Sequence, residues 1–158
     1  MIDWQKTLLL VFLVVVVPTA VYGVYIQIHN ARRVIPEIQR TLVEPYAAAI
    51  KAGDYTRAYR RYTSGAFREA HSLDEYATAQ RVNLEDLGPL VELTLNKNAP
   101  FQSAGNLFSG RRYHQGSLVW RGEKRQAWVN WEVSLEDGMY MIDAMAEERL
   151  DSLSPRIF

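Results

Sequence analysis

The chain has 158 residues, enough for one domain and an appendage. Lys+Arg 18 balances Asp+Glu 18, so no global field draws it to nucleic acid or to a strongly charged partner. With Cys 0, disulfides, thiolate metal sites and a cysteine nucleophile are all excluded.

The first element is the charge-free run TLLLVFLVVVVPTAVYGVYIQI, residues 7–28. As a helix it rises roughly 33 Å at ~1.5 Å per residue, enough for a hydrocarbon core of about 30 Å. Its Leu, Val, Ile and Phe residues contribute roughly −4 to −8 kcal/mol toward insertion. Trp4 at one end and Tyr22 and Tyr25 at the other fit interfacial aromatic belts, His29 falls at the same level, and Pro18 is tolerated in a membrane helix. A cleaved signal peptide is the competing reading, with Lys6 as the charged region, 8–17 as the apolar core and Ala20 before the cut. However, Pro18 would occupy a position that wants a small residue, and the apolar run continues to Ile28. The expectation is a retained anchor over residues 1–29.

Its orientation is less direct. Lys6 precedes the run and Arg32, Arg33 and Arg40 follow it, so a plain positive-inside count would hold the rest of the chain in the cytoplasm. A short lysine-bearing tail nevertheless matches a bacterial signal anchor, and long domains are translocated largely regardless of charge. The expected location is the bacterial inner membrane, single-pass, with a periplasmic C-terminal domain.

From Asn30 the chain turns to a polar–apolar mixture. Val34, Ile38, Leu42 and Tyr46 follow helical spacing, with Asn30 as a candidate cap, Pro36 near the first turn and Pro45 expected to kink or break the helix. Residues 30–42 read as a helical spacer, with a docking helix as the alternative. Gly53 suits the C′ position of that helix and Asp54 the N-cap of the next. Ala58, Tyr59 and Tyr62 then share an apolar face with Tyr55, and Arg57, Arg60 and Arg61 face outward. Ser72 and Glu75 form a capping box for a third helix over 72–82, whose stripe is Leu73, Tyr76, Ala77 and Gln80.

After Gly88 the period changes from 3.6 to 2. Segments 90–98, 111–122, 124–135 and 138–148 alternate as strands, the last three joined by short turns into an antiparallel meander. Ala127, Val129, Trp131 and Val133 share one face; Tyr140, Ile142 and Ala144 are expected to share the corresponding one. Helices followed by a meander make an α+β domain over 43–150, with 151–158 as a tail.

The phrases AIKAGDYTRAYRRYTSGAFR, LEDLGPLVELTL and WVNWEVSLEDGMYMIDAM resemble the nuclear-transport-factor-two-like (cystatin-like) superfamily, nearest its small membrane-anchored bacterial members. The resemblance covers roughly residues 43–148. It implies helices packed into the concave side of a curved, cone-like antiparallel sheet, with Gly53-Asp54 as the corner of a helical hairpin. The superfamily includes ketosteroid isomerase-like enzymes, polyketide cyclases and pure assembly domains, among them anchored subunits of type IV secretion systems. Fold alone does not choose among these.

An isomerase-type site needs a carboxylate base and an oxyanion donor pair in an apolar cavity. The candidates are Asp54, Glu75, Asp143, Tyr59, Tyr76 and Tyr113, but Asp54 and Glu75 are explained as caps and Asp143 alternates away from the core. His71 and Glu75, four apart, would need a third ligand to hold a metal. His114 reads as part of a solvated strand entry. The basic pairs Arg60-Arg61, Arg111-Arg112 and Lys124-Arg125 read as solvated faces that membrane lipid headgroups or a subunit rim could also use. Catalytic, metal and cofactor residues are therefore expected to be none. The expected function is a non-catalytic single-pass accessory or assembly subunit whose partners are other integral membrane proteins, with membrane lipid and no nucleic acid. Gly23 and Ala20 offer close helix approach, and Trp128, pointing away from the Val129–Trp131 face, is the soluble contact candidate. The alternative is a membrane-tethered small-ligand or isomerase-like pocket protein.

Overall fold

The computed structural model describes residues 4–96, 101–105, 112–148 and 156–157. Its first element, α1, is a single uninterrupted helix over residues 4–51, about 72 Å long at ~1.5 Å per residue. It is long and apolar enough to cross a membrane, and its most apolar window is 0% buried. From Ile38 onward the same helix enters the core: Ile38, Leu42, Val43 and Tyr46 are fully buried, followed by Ala49 and Ile50.

Neither the expected cap at Asn30 nor the expected break at Pro45 occurs. Asn30 lies inside the helix, whose backbone stays in the right-handed helical region through His29 and Ile35. Each proline is instead preceded by one π-helical turn: Phe12–Val16 before Pro18, Asn30–Val34 before Pro36 and Gln39–Val43 before Pro45. In each case the residue just ahead of the proline donates its N–H five residues back, Val17 to Phe12, Ile35 to Asn30 and Glu44 to Gln39. A regular turn would press the proline ring against the carbonyl four residues back and leave that carbonyl without its donor. One extra residue in the turn relieves the clash without breaking the rod. The stretch expected as a spacer over 30–42 therefore divides, with Ile38 and Leu42 belonging to the domain core.

α1 ends in a Schellman turn. Gly53 takes φ +69, its N–H donates to the Ile50 carbonyl at 3.0 Å, and the Asp54 N–H donates to the Ala49 carbonyl at 3.0 Å. Asp54 then caps α2 (Tyr55–Tyr62) by accepting from the Arg57 N–H at 2.9 Å. The chain next breaks at Thr63-Ser64, both fully buried, before the short helix α3 (Gly65–Ala70). Here the Ser64 N–H donates to the Ile142 carbonyl at 2.9 Å, stitching the helical layer to the sheet. The capping box at Ser72 and Glu75 opens α4 (Leu73–Leu87).

The sheet is open and antiparallel. Its body is β1 (Leu90–Leu95), β3 (Arg112–Gly122), β4 (Gln126–Glu136) and β5 (Met139–Glu148), adjacent in that order. The short β2 (Gln102–Gly105) pairs with β3 beyond the end of β1. Phe101, 3% exposed, precedes β2 and packs over Gly116, where a Cβ would sit 2.5 Å from the Phe101 ring. A further pair of residues, Arg156–Ile157 (β6), hydrogen-bonds to β5, so the segment expected as a tail adds to the sheet edge.

The inward faces of β3 and β4 follow simple alternation: Leu118 and Trp120 with Ala127, Val129, Trp131 and Val133 are all buried. β5 does not. Val133 pairs with Ile142 but Glu132 with Ala144, leaving Asp143 as an extra residue. This bulge changes the phase, so Met145 joins Ile142 in the core and Ala144 does not share that face as expected. The inward sheet residues and the helical residues form one hydrophobic cluster.

Candidate functional site

Between α4 and the inner face of β3 and β4 lies a cavity of about 50 Å³. The 3.6-residue period of α4 brings Tyr76, Gln80 and Asn83 to its helical wall, and the two-residue period of the strands brings Trp120, Val129 and Trp131 to the opposite wall. Tyr46 of α1 and Met145 of β5 line it as well, while His71 and Glu75 stand where it opens at the start of α4.

One hydrogen-bonded chain lies inside. The Tyr76 hydroxyl donates to the Tyr46 hydroxyl at 2.8 Å, which donates to the Met145 sulfur at 3.8 Å. Burial pushes both phenols far above their ordinary range, so they remain protonated at any physiological pH. The Tyr46 ring meets Trp131 edge-on, centroids 5.1 Å apart. These groups can bind and orient a molecule by hydrogen bonding and aromatic contact, but as neutral phenols they cannot remove a proton.

Four residues of these walls carry a buried polar atom with no hydrogen-bond partner among the described residues: Gln80 Oε1, Asn83 Oδ1, Trp120 Nε1 and Trp131 Nε1. These residues are 6, 9, 4 and 1% exposed. A buried polar group left unpaired costs about 1–3 kcal/mol, and most proteins carry few. Among the described residues just one further side-chain atom, Ser134 Oγ, shares this condition, and Ser134 does not line the cavity.

The residues singled out from sequence fall mostly elsewhere. Asp54 is exposed and engaged as a cap. Glu75 accepts from the Ser72 N–H at 2.7 Å and the Ser72 hydroxyl at 2.9 Å; the backbone bond is the larger cause of its lowered pKa, and nearby His71 lowers it further. His71 and Glu75 are thus brought together at the rim, with the His71 ring 4.7 Å from Phe67. No group of three or more His, Asp or Glu among the described residues could hold a metal ion. Tyr59 donates to the His71 carbonyl at 2.6 Å, so it works as a strut. Half-buried His114 is 5.8 Å from the Tyr140 ring and outside the cavity, and desolvation lowers its pKa. Tyr113 and Asp143 are half-buried and outside it too. Trp128 is 37% exposed, Ala20 is exposed, and a Cβ on Gly23 would meet nothing within 4 Å.

Of the four residues with unpaired atoms, Gln80 lies in the predicted apolar stripe of α4 and Trp131 on the predicted inward face of its strand. Trp120 and Asn83 are not among the residues singled out from sequence. A polar amide at a core position was the available signal.

Fold and cavity together define an α+β domain on a long N-terminal helix apolar enough to cross a membrane, with a small aromatic pocket under α4. No family model, curated protein or solved structure matches the chain.

Proposed function

We propose that the protein is a non-catalytic, single-pass accessory or assembly subunit of a bacterial membrane complex, its domain serving as a protein–protein adaptor. The observation that carries this reading is the continuity of α1. One helix runs from exposed apolar residues, Val11 to Ile28, into fully buried Ile38 and Leu42 without a flexible joint. An anchor of this kind presents its domain at a set height and orientation, and it raises the effective concentration of both for a partner in the same bilayer.

The resemblance to anchored assembly domains supports the same reading and the placement of the domain outside the inner membrane. The contact candidates suit it. Ala20 and Gly23 are three apart, on one helix face that nothing in the chain covers, and small residues let a second helix approach closely. Trp128 offers an aromatic anchor on the sheet. The isomerase-like alternative has less support among the carboxylates: Glu75 at the cavity rim is committed to the capping box, and Asp54 and Asp143 lie outside the cavity.

The test is co-purification after mild detergent extraction. Gly23→Leu or Trp128→Ala should reduce recovery of the partner by tenfold or more. Asp54→Asn, Glu75→Gln and His114→Gln should leave it unchanged. Loss of function from Glu75→Gln, the one of these positions that lines the cavity, in a folded, still-associated protein would replace the adaptor by the ligand-pocket reading.

A further inference from the structure

The cavity under α4 has a feature that an adaptor does not need. Four residues at least nine-tenths buried, each carrying an unpaired polar atom, line one space of about 50 Å³. A volume of that size, a third of the ~150 Å³ that encloses benzene, holds a water or two or the head of a larger molecule. Gln80 and Trp120 also line a second cavity of about 130 Å³ on the side of Ile50 and Leu90. Gln80 and Trp120 thus stand between the two spaces, and movement of either side chain would join them.

The chemistry of the walls selects the head group. Two indole N–H groups require acceptors, and two side-chain amide oxygens require donors. An anion would be opposed by the amide oxygens and a cation by the indole hydrogens, and the charged lining residue, Glu75, is exposed and engaged by Ser72. Glu75 is exposed and His71 half-buried, so both line the cavity from its solvent side. What matches is an uncharged group with both a carbonyl-type acceptor and an N–H donor, flat enough to lie among Tyr46, Tyr76 and Trp131.

We propose that this cavity is a binding site for the neutral carboxamide- or lactam-type head of a small molecule. The carbonyl oxygen accepts from the indoles and the N–H donates to Gln80 and Asn83. The Tyr76–Tyr46 pair sets the floor and stays neutral. The site is independent of the partner contacts at Gly23 and Trp128, since Trp128 does not line it.

The test uses the full chain in detergent micelles, with tryptophans labelled at Nε1. The chain has Trp 4, so Trp4 and Trp128, 72 and 37% exposed, serve as internal controls. Benzamide, benzoate and toluene share a body and differ in the head. Benzamide should shift the Trp120 and Trp131 indole signals saturably and leave Trp4 and Trp128 in place, whereas benzoate and toluene should bind at least tenfold more weakly. Gln80→Met and Asn83→Leu should each weaken benzamide by about tenfold. Without ligand, Gln80→Met should raise Tm by about 2 °C or more, because it removes an unpaired buried oxygen. No saturable shift, or equal shifts with toluene, would mean that the four atoms serve ordered water only and would overturn the proposal. Preference for benzoate would overturn the neutral head group. A lower Tm for Gln80→Met would show that the oxygen was already paired, with the same consequence.

Discussion

Gly122→Ala is the sharpest probe of how the helical layer meets the sheet. An alanine Cβ at this position would lie 2.1 Å from the Leu87 carbonyl oxygen and 2.7 Å from the Leu87 carbonyl carbon. Both are backbone atoms, so no side chain can swing aside. The same oxygen accepts from the Lys124 N–H at 2.9 Å and the Arg125 N–H at 3.2 Å, which closes the end of α4 onto the β3–β4 turn. To clear the methyl the turn must shift by about 1 Å, straining both bonds. Overpacking costs about 1–3 kcal/mol and the two strained bonds about 1 kcal/mol each. Against this, alanine gains about 0.4–1 kcal/mol by restricting the unfolded chain, so the net loss is about 2–5 kcal/mol. At roughly 4 °C per kcal/mol, Tm in micelles should fall by about 8–20 °C, followed by near-ultraviolet circular dichroism. Gly65→Ala is the control: nothing lies within 4 Å of its added Cβ and φ is not positive, so stability should hold or rise. A Gly122→Ala protein melting within 2 °C of wild type would refute the close approach.

Three further outcomes are expected. A chain beginning at Asn30 should be soluble and folded, whereas one beginning at Glu44 should not fold. The second loses fully buried Ile38, Leu42 and Val43, worth about 1.5–3 kcal/mol each, against a total stability of only about 5–15. Native Glu75 has a lowered pKa, so its bonds to Ser72 stabilise above the ordinary carboxylate range and are lost as pH falls through that range and the lowered native value. Glu75→Gln should flatten this part of the acid limb in a pH series of melting temperatures. His114 is also lowered, by burial, so its contribution is present above the ordinary histidine value near 6.5 and is lost as pH falls through its lower native value. His114→Gln should flatten that shallower limb, with no change if the imidazole is in fact solvated.

What was legible in the sequence was local. Gly53-Asp54 and Ser72-Glu75 work as read, because a cap is decided by the few residues that make it. The β4 face was legible because a buried face imposes strict alternation, and β5 escaped because one extra residue at Asp143 inverts the phase without any mark in composition. Pro36 and Pro45 misled because the rule against interior prolines assumes a regular helix, and π-turns lift that assumption at the cost of one residue each. The cavity was hidden for a different reason. Carboxylates and imidazoles stand out in a sequence, whereas the cavity's distinctive groups are two amides and two indoles that become unusual only when packing leaves them unpaired. Orphaned atoms arise from tertiary structure, and no local pattern announces them.

Because the chain has Cys 0, a photo-crosslinking residue or a single thiol can be placed anywhere without background. A lone cysteine at Lys51, exposed at the end of α1, should react with a membrane-impermeant maleimide from the periplasmic side. The adaptor role itself is tested most directly by crosslinking in native membranes, with a photoreactive residue at Gly23 or at Trp128 in the full chain. Both positions should yield a discrete adduct with the same second membrane protein. Lipid adducts alone at 23, together with no protein adduct at 128, would contradict it.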